Sequence, residues 1–279
     1  MTMQTDLYCV MGNPVEHSKS PWIHARFAEL TGQSLHYDKR LIPLDGFEAA
    51  VRAFIVEGGR GCNITVPFKF EAAALATRTS ERALLAQASN TLRFDKGSIF
   101  ADNTDGAGLV NDIQRNAGMA LTGRRLLLIG AGGAAAGVLG PLIDARPASI
   151  SVANRTLAKA SDLVTRHAAL ALLQKTELLA SDLQGLEGSF DVIINATASS
   201  LSGAAVPVAA STLKPGALAY DMMYGPAAQG FMTWAREHGA VARDGLGMLV
   251  EQAAEAFLIW RGVLPPSQQV LAELRATLG

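Results

Sequence analysis

The chain has 279 residues, of which 49% are hydrophobic and 18% are charged, and its formal net charge is −1. This length suggests two domains, and the apolar content is ample for a sizeable core. The near-neutral charge, with no block rich in lysine or arginine, argues against a general nucleic-acid-binding surface.

Cysteine and histidine usage gives no sign of a metal centre or of a secreted protein. Cys9 and Cys62 lie in apolar, strand-like stretches, and the five histidines show no metal-ligand spacing. Residues 1–7 contain no basic residue and no long apolar run, so no signal peptide is predicted. The uncharged stretch 126–143 contains five glycines and Pro141, which favour a strand–turn–helix over a membrane span. We therefore expect a cytoplasmic protein.

The first hundred residues are predicted to form a small α/β domain. Pro21 suits the first position of a helix, with Ser20 as its N-cap. The predicted elements are strand 7–11, helix 21–32, strand 35–41, helix 44–56, strand 62–66, and short helices 68–75 and 81–86. Strands 91–94 and 98–101 follow as a hairpin around a turn at Asp95-Lys96-Gly97.

A second domain is predicted to follow a helix over 106–116. Its elements are a strand opening at Arg125, helix 133–144, strand 149–153, helix 156–168, strands 191–194 and 217–220, helix 228–238, and a short strand near 240–242. Strands that alternate with helices require a parallel sheet with both faces covered. The last helices, 246–260 and 266–278, are expected to return to the first domain. The predicted domains are 1–105, completed by 245–279, and 106–244.

A glycine-rich turn follows the strand that opens at Arg125. Four branched apolar residues lead into Gly130-Ala131-Gly132-Gly133-Ala134, and small residues follow. Because glycine lacks Cβ, such a turn bends sharply and lets a pyrophosphate approach the amides of a helix N-terminus. The order Gly130-x-Gly132-x-x-Ala135 fits the G-x-G-x-x-A form of the dinucleotide fingerprint. Alone the match is weak, because a structural loop in any α/β protein could produce it.

The end of the next strand indicates which dinucleotide binds. About twenty residues beyond the glycine turn, an NAD site places Asp or Glu on the ribose 2′-hydroxyl. Here Asn154-Arg155-Thr156 occupies that place, and a guanidinium grips a 2′-phosphate that a carboxylate would repel. The sequence therefore predicts NADP rather than NAD. In an alternative that is compatible with the first, Arg155 is a solvated strand-end residue and Thr156 is a helix N-cap.

Polar clusters at element ends in the first domain offer groups for a hydride-transfer site. Such a site needs a proton donor or acceptor for the oxygen on the reacting carbon. The clusters are His17-Ser18-Lys19-Ser20, Asn63-Ile64-Thr65-Val66-Pro67-Phe68-Lys69, Ala88-Ser89-Asn90-Thr91 and Asp102-Asn103-Thr104-Asp105-Gly106. Sites on α/β sheets usually form at such element ends.

These clusters, in this order and before an NADP-type fingerprint, resemble shikimate dehydrogenases along nearly the whole chain. The other matching segments are Gly12-Asn13-Pro14, the turn 130–134, Asn154-Arg155-Thr156, Asn195-Ala196-Thr197, Tyr224-Gly225-Pro226 and Gly245-Leu246-Gly247-Met248-Leu249-Val250-x-Gln252-Ala253. The resemblance implies reversible, NADPH-dependent reduction of 3-dehydroshikimate to shikimate. It also implies an α/β substrate-binding and catalytic domain followed by a Rossmann-type, doubly wound NADP-binding domain.

Lys69 and Asp105 are the catalytic pair that the resemblance implies. A lysine offers three donors on a flexible stem, and near a carboxylate it can protonate the alkoxide that forms as hydride arrives. Asp105 would orient that ammonium and hold a substrate hydroxyl. Without the resemblance, Lys69 could equally be a solvated surface lysine and Asp105 an N-cap for a helix starting at Gly106.

The resemblance also implies a set of substrate ligands. It places Ser18 and Ser20 on the substrate carboxylate, which hydroxyl donors can bind without a strong counter-charge. A polyol ring needs several further fixed donors and acceptors, and the implied ones are Thr65, Asn90, Tyr224 and Gln252. In the alternatives, Ser20 only caps its helix, Asn90 is a turn amide, and Gln252 is an exposed polar position on an apolar helix.

For the cofactor, the resemblance implies two phosphate-binding segments and a few separate neighbours. The pyrophosphate is assigned to Gly130, Ala131, Gly132, Gly133 and Ala134, and the 2′-phosphate to Asn154, Arg155, Thr156 and Lys159. Met222 and Gly245 match positions near the nicotinamide, and Glu81 matches another cofactor neighbour. The chain departs from the family pattern at Ala198-to-Gly203 and at Gln229-Gly230, both expected to be cofactor-side loops.

Two other functions share parts of this pattern. One is a quinate/shikimate dehydrogenase with broader substrate range or NAD use, although Asn154 and Arg155 argue against NAD. The other is a non-catalytic dinucleotide sensor, which the presence of both Lys69 and Asp105 disfavours. The predicted partner is a small-molecule substrate, with no nucleic acid, membrane or metal, and the family includes monomers and homodimers.

Overall fold

The computed structural model of the protein describes residues 5–197 and 206–278. The chain divides into two compact units, Met1–Gly108 with Val250–Gly279, and Leu109–Leu249. Both units are α/β, which confirms the predicted fold class. Among the described residues, no helix combines the length and the apolar character needed to cross a membrane.

The first unit is built on a six-stranded mixed sheet. Its elements are β1 (Asp6–Gly12), α1 (Ser20–Thr31), β2 (Leu35–Leu41), α2 (Phe47–Val56), β3 (Gly59–Ile64), α3 (Lys69–Leu75), β4 (Arg78–Thr79), α4 (Glu81–Ala86), β5 (Thr91–Asp95), β6 (Ser98–Asp102) and the start of α5 (Asp105–Asn111). The strand order is β2-β1-β3-β5-β6-β4. β1 runs parallel to β2 and β3, whereas the hairpin of β5 and β6 packs antiparallel against β3.

The two faces of this sheet carry different cores, because side chains alternate along β1. Cys9 and Met11 lie in one apolar cluster with residues of α2, whereas Tyr8 and Val10 lie in another with Tyr37. The central strands are therefore buried on both sides. Their carboxyl ends are the places where polar loops can form a site.

The second unit contains a six-stranded sheet in which every described strand pair is parallel. Its elements are the π-helical turn Asp112–Asn116, β7 (Arg125–Ile129), α6 (Gly133–Asp144), β8 (Ser149–Ala153), α7 (Leu157–Gln174), β9 (Glu177–Ser181), β10 (Phe190–Asn195), β11 (Leu213–Asp221), α8 (Gln229–Glu237) and β12 (Val241–Arg243). The strand order β12-β11-β10-β7-β8-β9 reverses at β7. Ligands of doubly wound sheets bind beyond the carboxyl ends of the strands at such a reversal. The chain then ends with α9 (Leu246–Arg261) and α10 (Ser267–Leu278).

A buried carboxylate joins the π-helical turn to β11 and β12. Asp112 is fully buried and accepts hydrogen bonds from Arg243 Nε at 2.7 Å, Arg243 Nη2 at 2.5 Å and the Tyr220 hydroxyl at 2.7 Å. A Cβ at Gly247, in the first turn of α9, would lie 1.9 Å from Oδ1 of Asp112. The start of α9 therefore packs directly on this carboxylate, and position 247 has no room for a side chain.

Some predicted boundaries were wrong for local reasons. Ser20 is not the N-cap of α1: Lys19 holds that position, and the Ser20 N–H donates to Ser18 Oγ at 3.3 Å. The strand predicted over 62–66 runs from Gly59 to Ile64. The helix predicted over 106–116 becomes π-helical at Asp112, the residue whose side chain is drawn into the buried cluster.

The sequence also missed or misplaced elements with little burial. β4 and β9 were not predicted; both are edge strands without a buried residue. Gln229 and Gly230, which were expected in a cofactor-side loop although the helix predicted over 228–238 includes them, form the first two residues of α8 after a 3₁₀ turn at Gly225–Ala228, as the helix prediction required. The departure at 198–203 lies outside the described residues.

Candidate active site

Lys69 and Asp105 form a close ion pair in the first unit. Lys69 is the first residue of α3, shortly after β3, and Asp105 is the first residue of α5, shortly after β6. Lys69 Nζ lies 2.5 Å from Asp105 Oδ2, and the two side chains are 21% and 9% exposed. The lysine reaches solvent while its partner carboxylate is buried. Such an ammonium can exchange a proton with a bound substrate.

Asn90 holds the second oxygen of the Asp105 carboxylate. Its Nδ2 donates to Asp105 Oδ1 at 2.7 Å and lies 2.9 Å from Thr104 Oγ1 and 3.2 Å from Gln252 Oε1. Asn90 is 3% exposed and Gln252 is 8% exposed, so Gln252 is not the surface residue of the alternative interpretation. The structure thus brings Lys69, Asp105, Asn90 and Gln252 together.

Ser18 and Thr65 lie on the loops that follow β1 and β3, which are neighbouring parallel strands, and Ser20 is the first residue of α1. The two loops touch: the Asn13 N–H donates to Val66 O at 3.0 Å. A Cβ at Gly12 would lie only 2.2 Å from Thr65 Cγ2. Ser20 is buried, and Ser18 and Thr65 are half-buried. Hydroxyl groups therefore lie near the carboxyl ends of β1 and β3, at the end of the sheet from which α3 and Lys69 follow.

Sequence reasoning gave no role to Asn63, Tyr37 or Thr104, which belong to the same hydrogen-bond network. The Tyr37 hydroxyl donates to Asn63 Oδ1 at 2.8 Å, and the Thr104 N–H donates to Asn90 Oδ1 at 2.8 Å. Asn63 and Thr104 lie in the polar clusters 63–69 and 102–106, so the sequence did indicate that they are near the site. For Tyr37 the signal was weaker: a single tyrosine in the middle of a polar strand, Leu-His-Tyr-Asp-Lys-Arg-Leu.

The glycine turn after β7 has the geometry that a pyrophosphate site requires. Gly130 has φ +114°, a conformation that favours glycine. Gly132 is the N-cap of α6, no side chain caps this helix, and a Cβ at Gly132 would have no atom within 4 Å. Among the described residues, no atom thus fills the space beside Gly132 at the N-terminus of α6, and no side chain of the N-cap residue occupies its first amides. An anionic group fits there, since helix N-termini bind phosphates.

The segment after β8 presents two free cations. Arg155 and Lys159 are exposed, and neither forms an ion pair within the described residues. Asn154 Nδ2 donates to Thr156 O at 2.9 Å, which folds the segment into a compact turn. Thr156 occupies the N-cap position of α7, but its side chain makes no capping hydrogen bond. These unpaired cations suit a phosphate on the adenosine ribose.

Met222 and Gly245 contact each other. The Gly245 N–H donates to Met223 O at 2.8 Å, and a Cβ at Gly245 would lie 2.2 Å from Met222 O. Only glycine permits this approach. Tyr224 is half-buried in the same segment, and burial raises the pKa of its phenol, which keeps it a neutral donor.

Glu81 is the predicted cofactor residue that stands apart in the chain. It is exposed at the start of α4 and belongs to the first unit, whereas the other predicted cofactor residues belong to the second.

Among the described residues, no group of three or more potential metal ligands comes together.

Three family models match the chain in succession. They are the shikimate dehydrogenase substrate binding domain over residues 10–92, shikimate/quinate 5-dehydrogenase over 112–205, and the shikimate 5′-dehydrogenase C-terminal domain over 245–275. The chain belongs to the shikimate dehydrogenase family. The family predicted from the sequence motifs is thereby confirmed.

Individual relatives agree over the full length. The "Shikimate dehydrogenase (NADP(+))" of Acidovorax sp. (strain JS42) is 71% identical and covers 100% of this chain and 99% of the relative. Among solved structures, an Ael1 enzyme from Pseudomonas putida is 47% identical with a TM-score of 0.89, covering 97% of this chain and 98% of that one. A Thermus thermophilus shikimate 5-dehydrogenase, solved with NADP(H) and shikimate, is 29% identical with a TM-score of 0.85, covering 98% of this chain and 100% of that one.

Proposed function

We propose that the protein is an NADP-dependent shikimate dehydrogenase, which reversibly reduces 3-dehydroshikimate to shikimate in aromatic amino acid biosynthesis. The observation that carries this function is the contact of Lys69 with Asp105, held from behind by Asn90, in a chain of this family. The relative that is 71% identical over the full chain has the same activity in its name.

The chemistry follows from the groups around Lys69. The nicotinamide, when bound, supplies the hydride that reduces the ring ketone. Lys69 gives a proton to the oxygen that becomes negatively charged, and takes it back in the reverse direction. Asp105 keeps the ammonium in place through its 2.5 Å contact and offers an acceptor to a substrate hydroxyl. Placement of the donor before the reaction lowers the barrier.

The substrate is held by neutral donors and acceptors in this proposal. Ser18 and Ser20, which follow β1, bind the carboxylate through their hydroxyl groups. The ring hydroxyls are bound by Thr65, Asn90, Tyr224 and Gln252. Buried polar groups that would be left unpaired by a wrong substrate provide the selectivity.

In this proposal the second unit supplies every cofactor-binding residue except Glu81, which belongs to the first unit. The amides from Gly130 to Ala134 bind the pyrophosphate at the open N-terminus of α6. Arg155 and Lys159, with Asn154 and Thr156, bind the 2′-phosphate, and this selects NADP. Met222 and Gly245 border the nicotinamide, and Glu81 is a further cofactor neighbour. The first unit, with the C-terminal helices, is then the substrate-binding and catalytic domain.

The test is a spectrophotometric assay of NADP reduction with shikimate, run beside the same assay with quinate and with NAD. We expect turnover with shikimate and NADP and a much higher kcat/KM for NADP than for NAD. Higher kcat/KM with quinate and NAD would instead favour the quinate/shikimate alternative. Binding of NADPH without any turnover would favour the sensor.

Location and assembly are also part of the proposal. Both cysteines are free and buried, which suits the reducing cytoplasm. The protein is proposed to be a monomer or a homodimer, and sedimentation equilibrium distinguishes the two states.

A further inference from the structure

Tyr37 is the buried residue of an edge strand that is otherwise polar or partly exposed. In β2, Tyr37 is 7% exposed, and the remaining residues are not buried. Its ring stacks on His24, with ring centroids 4.3 Å apart and planes 7° apart, which fixes where its hydroxyl points. A buried phenol needs a hydrogen-bond partner. Here that partner leads to the active site.

The Tyr37 hydroxyl sets the orientation of the Asn63 amide. It donates to Asn63 Oδ1 at 2.8 Å. Burial raises the pKa of Tyr37 well above its usual value, although the Ser20 side chain opposes the shift, so the phenol keeps its proton. Because Oδ1 is engaged on one side, Asn63 Nδ2 faces the other, 3.1 Å from Thr91 Oγ1 and 3.2 Å from Asn90 O.

From Thr91 the hydrogen bonds continue, with the same donor-to-acceptor direction, to the carboxylate of Asp105. Thr91 Oγ1 accepts from Asn63, so its own hydrogen goes to Asn90 Oδ1 at 2.9 Å. With Oδ1 as the acceptor, Asn90 Nδ2 points at Asp105 Oδ1 at 2.7 Å. Each donor is thus aligned with the donor before it, and the Thr104 N–H supports the last step by donating to Asn90 Oδ1 at 2.8 Å. Hydrogen bonds in such a buried chain reinforce one another.

We propose that Tyr37 is a positioning residue for the reaction: its hydroxyl orients Asn63 and, through Thr91, the Asn90 amide that holds Asp105 beside Lys69. This inference rests on the proposed function. Without the hydroxyl, Asn63 Oδ1 loses its donor, and the amide is held only through Nδ2, by Asn90 O and Thr91 Oγ1. The Thr104 N–H still holds Asn90 Oδ1 at 2.8 Å, so the loss loosens the Asn90 amide beside Asp105 without turning it over.

The chain offers a matched control for the loss of this hydroxyl. Tyr8 is 3% exposed and belongs to the same apolar cluster as Tyr37. Its ring stacks on Trp260, and its hydroxyl lies 3.5 Å from Arg261 Nη1 and outside the chain of hydrogen bonds from Asn63 to Asp105. Tyr8→Phe and Tyr37→Phe therefore each remove one buried phenol oxygen, but only the second interrupts the orienting chain.

The experiment measures kcat for shikimate oxidation by NADP in the full-length wild type, Tyr37→Phe, Tyr8→Phe, Thr91→Val and the double variant of Tyr37 and Thr91. NADPH binding stoichiometry corrects each kcat for the folded fraction. We expect Tyr37→Phe to lower kcat by about 3- to 10-fold, as loss of one orienting hydrogen bond implies. Tyr8→Phe should change kcat by less than about 2-fold, because the Tyr8 hydroxyl shares no partner with the orienting chain. The KM for NADP should not change.

The double variant separates positioning from general loosening of the fold. If Tyr37 and Thr91 act through one chain, the double variant loses no more kcat than the worse single variant, whereas independent effects multiply. Equal kcat in Tyr37→Phe and Tyr8→Phe, or multiplying losses in the double variant, would overturn the inference. If Tyr37→Phe does not fold, an unchanged kcat in Thr91→Val overturns it. Failure of the proposed function shows differently, as a wild type without turnover on shikimate.

Discussion

Asp105 divides its two carboxylate oxygens between Lys69 and Asn90: Oδ2 lies 2.5 Å from Lys69 Nζ, and Oδ1 lies 2.7 Å from Asn90 Nδ2. Rotation of the carboxylate would break both contacts. The ammonium is therefore anchored by a group that is itself fixed by a buried amide. An exposed ion pair lacks such an anchor and contributes little.

Substitution of Lys69 tests the proton-transfer step. Lys69→Ala should lower kcat by about 10²- to 10⁴-fold, the usual contribution of a general acid or base. The KM for shikimate should change much less, because the other proposed ligands stay in place. Lys96→Ala, at the exposed turn between β5 and β6, is the control and should keep full activity. Undiminished turnover in Lys69→Ala would remove Lys69 from the mechanism.

Arg155 tests the choice of dinucleotide. Arg155→Ala should raise the KM for NADP by about tenfold or more, since a charge-assisted hydrogen bond contributes roughly 1.5–3 kcal/mol. The KM for NAD should stay the same, because NAD has no 2′-phosphate. Arg236→Ala, exposed on α8, removes a similar charge from the same unit and should affect neither value. Equal increases for both dinucleotides would contradict the assignment.

Two glycines in the second unit should respond oppositely to alanine. Gly247→Ala would force a methyl group onto the buried Asp112 carboxylate, which Arg243 and Tyr220 hold in place. The free energy of unfolding should fall by about 1–3 kcal/mol. Gly230→Ala meets open space in α8 and should raise it by about 0.5–1 kcal/mol. Urea denaturation measures both, and a stable Gly247→Ala protein would show that the Asp112 cluster can rearrange.

His24 should make the protein sensitive to acid. It is fully buried, and burial lowers its pKa to about 3, which the nearby Asn63 side chain opposes only partly. Neither ring nitrogen has a hydrogen-bond partner of normal geometry among the described residues. Below its ordinary pKa, 6.5, the histidine gains a proton in the unfolded chain but not in the fold. Stability is therefore lost as pH falls from that value towards 3.

His24→Phe removes this proton uptake and keeps an aromatic ring against Tyr37. Between pH 6.5 and 5, wild type should lose about 1.6 kcal/mol more of its free energy of unfolding than the variant. The pKa of His167 is also lowered by burial, but that residue is present in both proteins and cancels in the difference. Urea denaturation at several pH values gives both curves. Parallel curves would mean that His24 is protonated in the fold.

The glycine turn after β7 was the part of the fold most open to prediction. Helix 133–144 and strand 149–153 have the observed bounds, because an uninterrupted apolar strand and a glycine turn leave few other structures. β4 and β9 could not be found in the same way. They lie at sheet edges and bury no residue fully, so they carry no hydrophobic pattern.

The network behind Asp105 depends on tertiary contacts. Tyr37, Asn63 and Asn90 are separated by 26 and 27 residues along the chain, yet they are joined by hydrogen bonds. The secondary-structure propensities of neighbouring residues do not predict hydrogen bonds between residues so far apart in the chain. The motifs named Asn63 and Asn90 as polar residues at element ends, but only the packed sheet shows which atom of each amide faces which neighbour.

The contact between Gly12 and Thr65 restricts how this enzyme can be redesigned. Thr65 Cγ2 occupies the space where any other residue at position 12 would put its Cβ. Libraries that vary Gly12 along with the loop carrying Ser18 and Ser20, but leave Thr65 unchanged, will therefore lose folded members. Screens for activity on other substrates should vary positions 12 and 65 together, so that a larger residue at position 12 is paired with a smaller one at position 65.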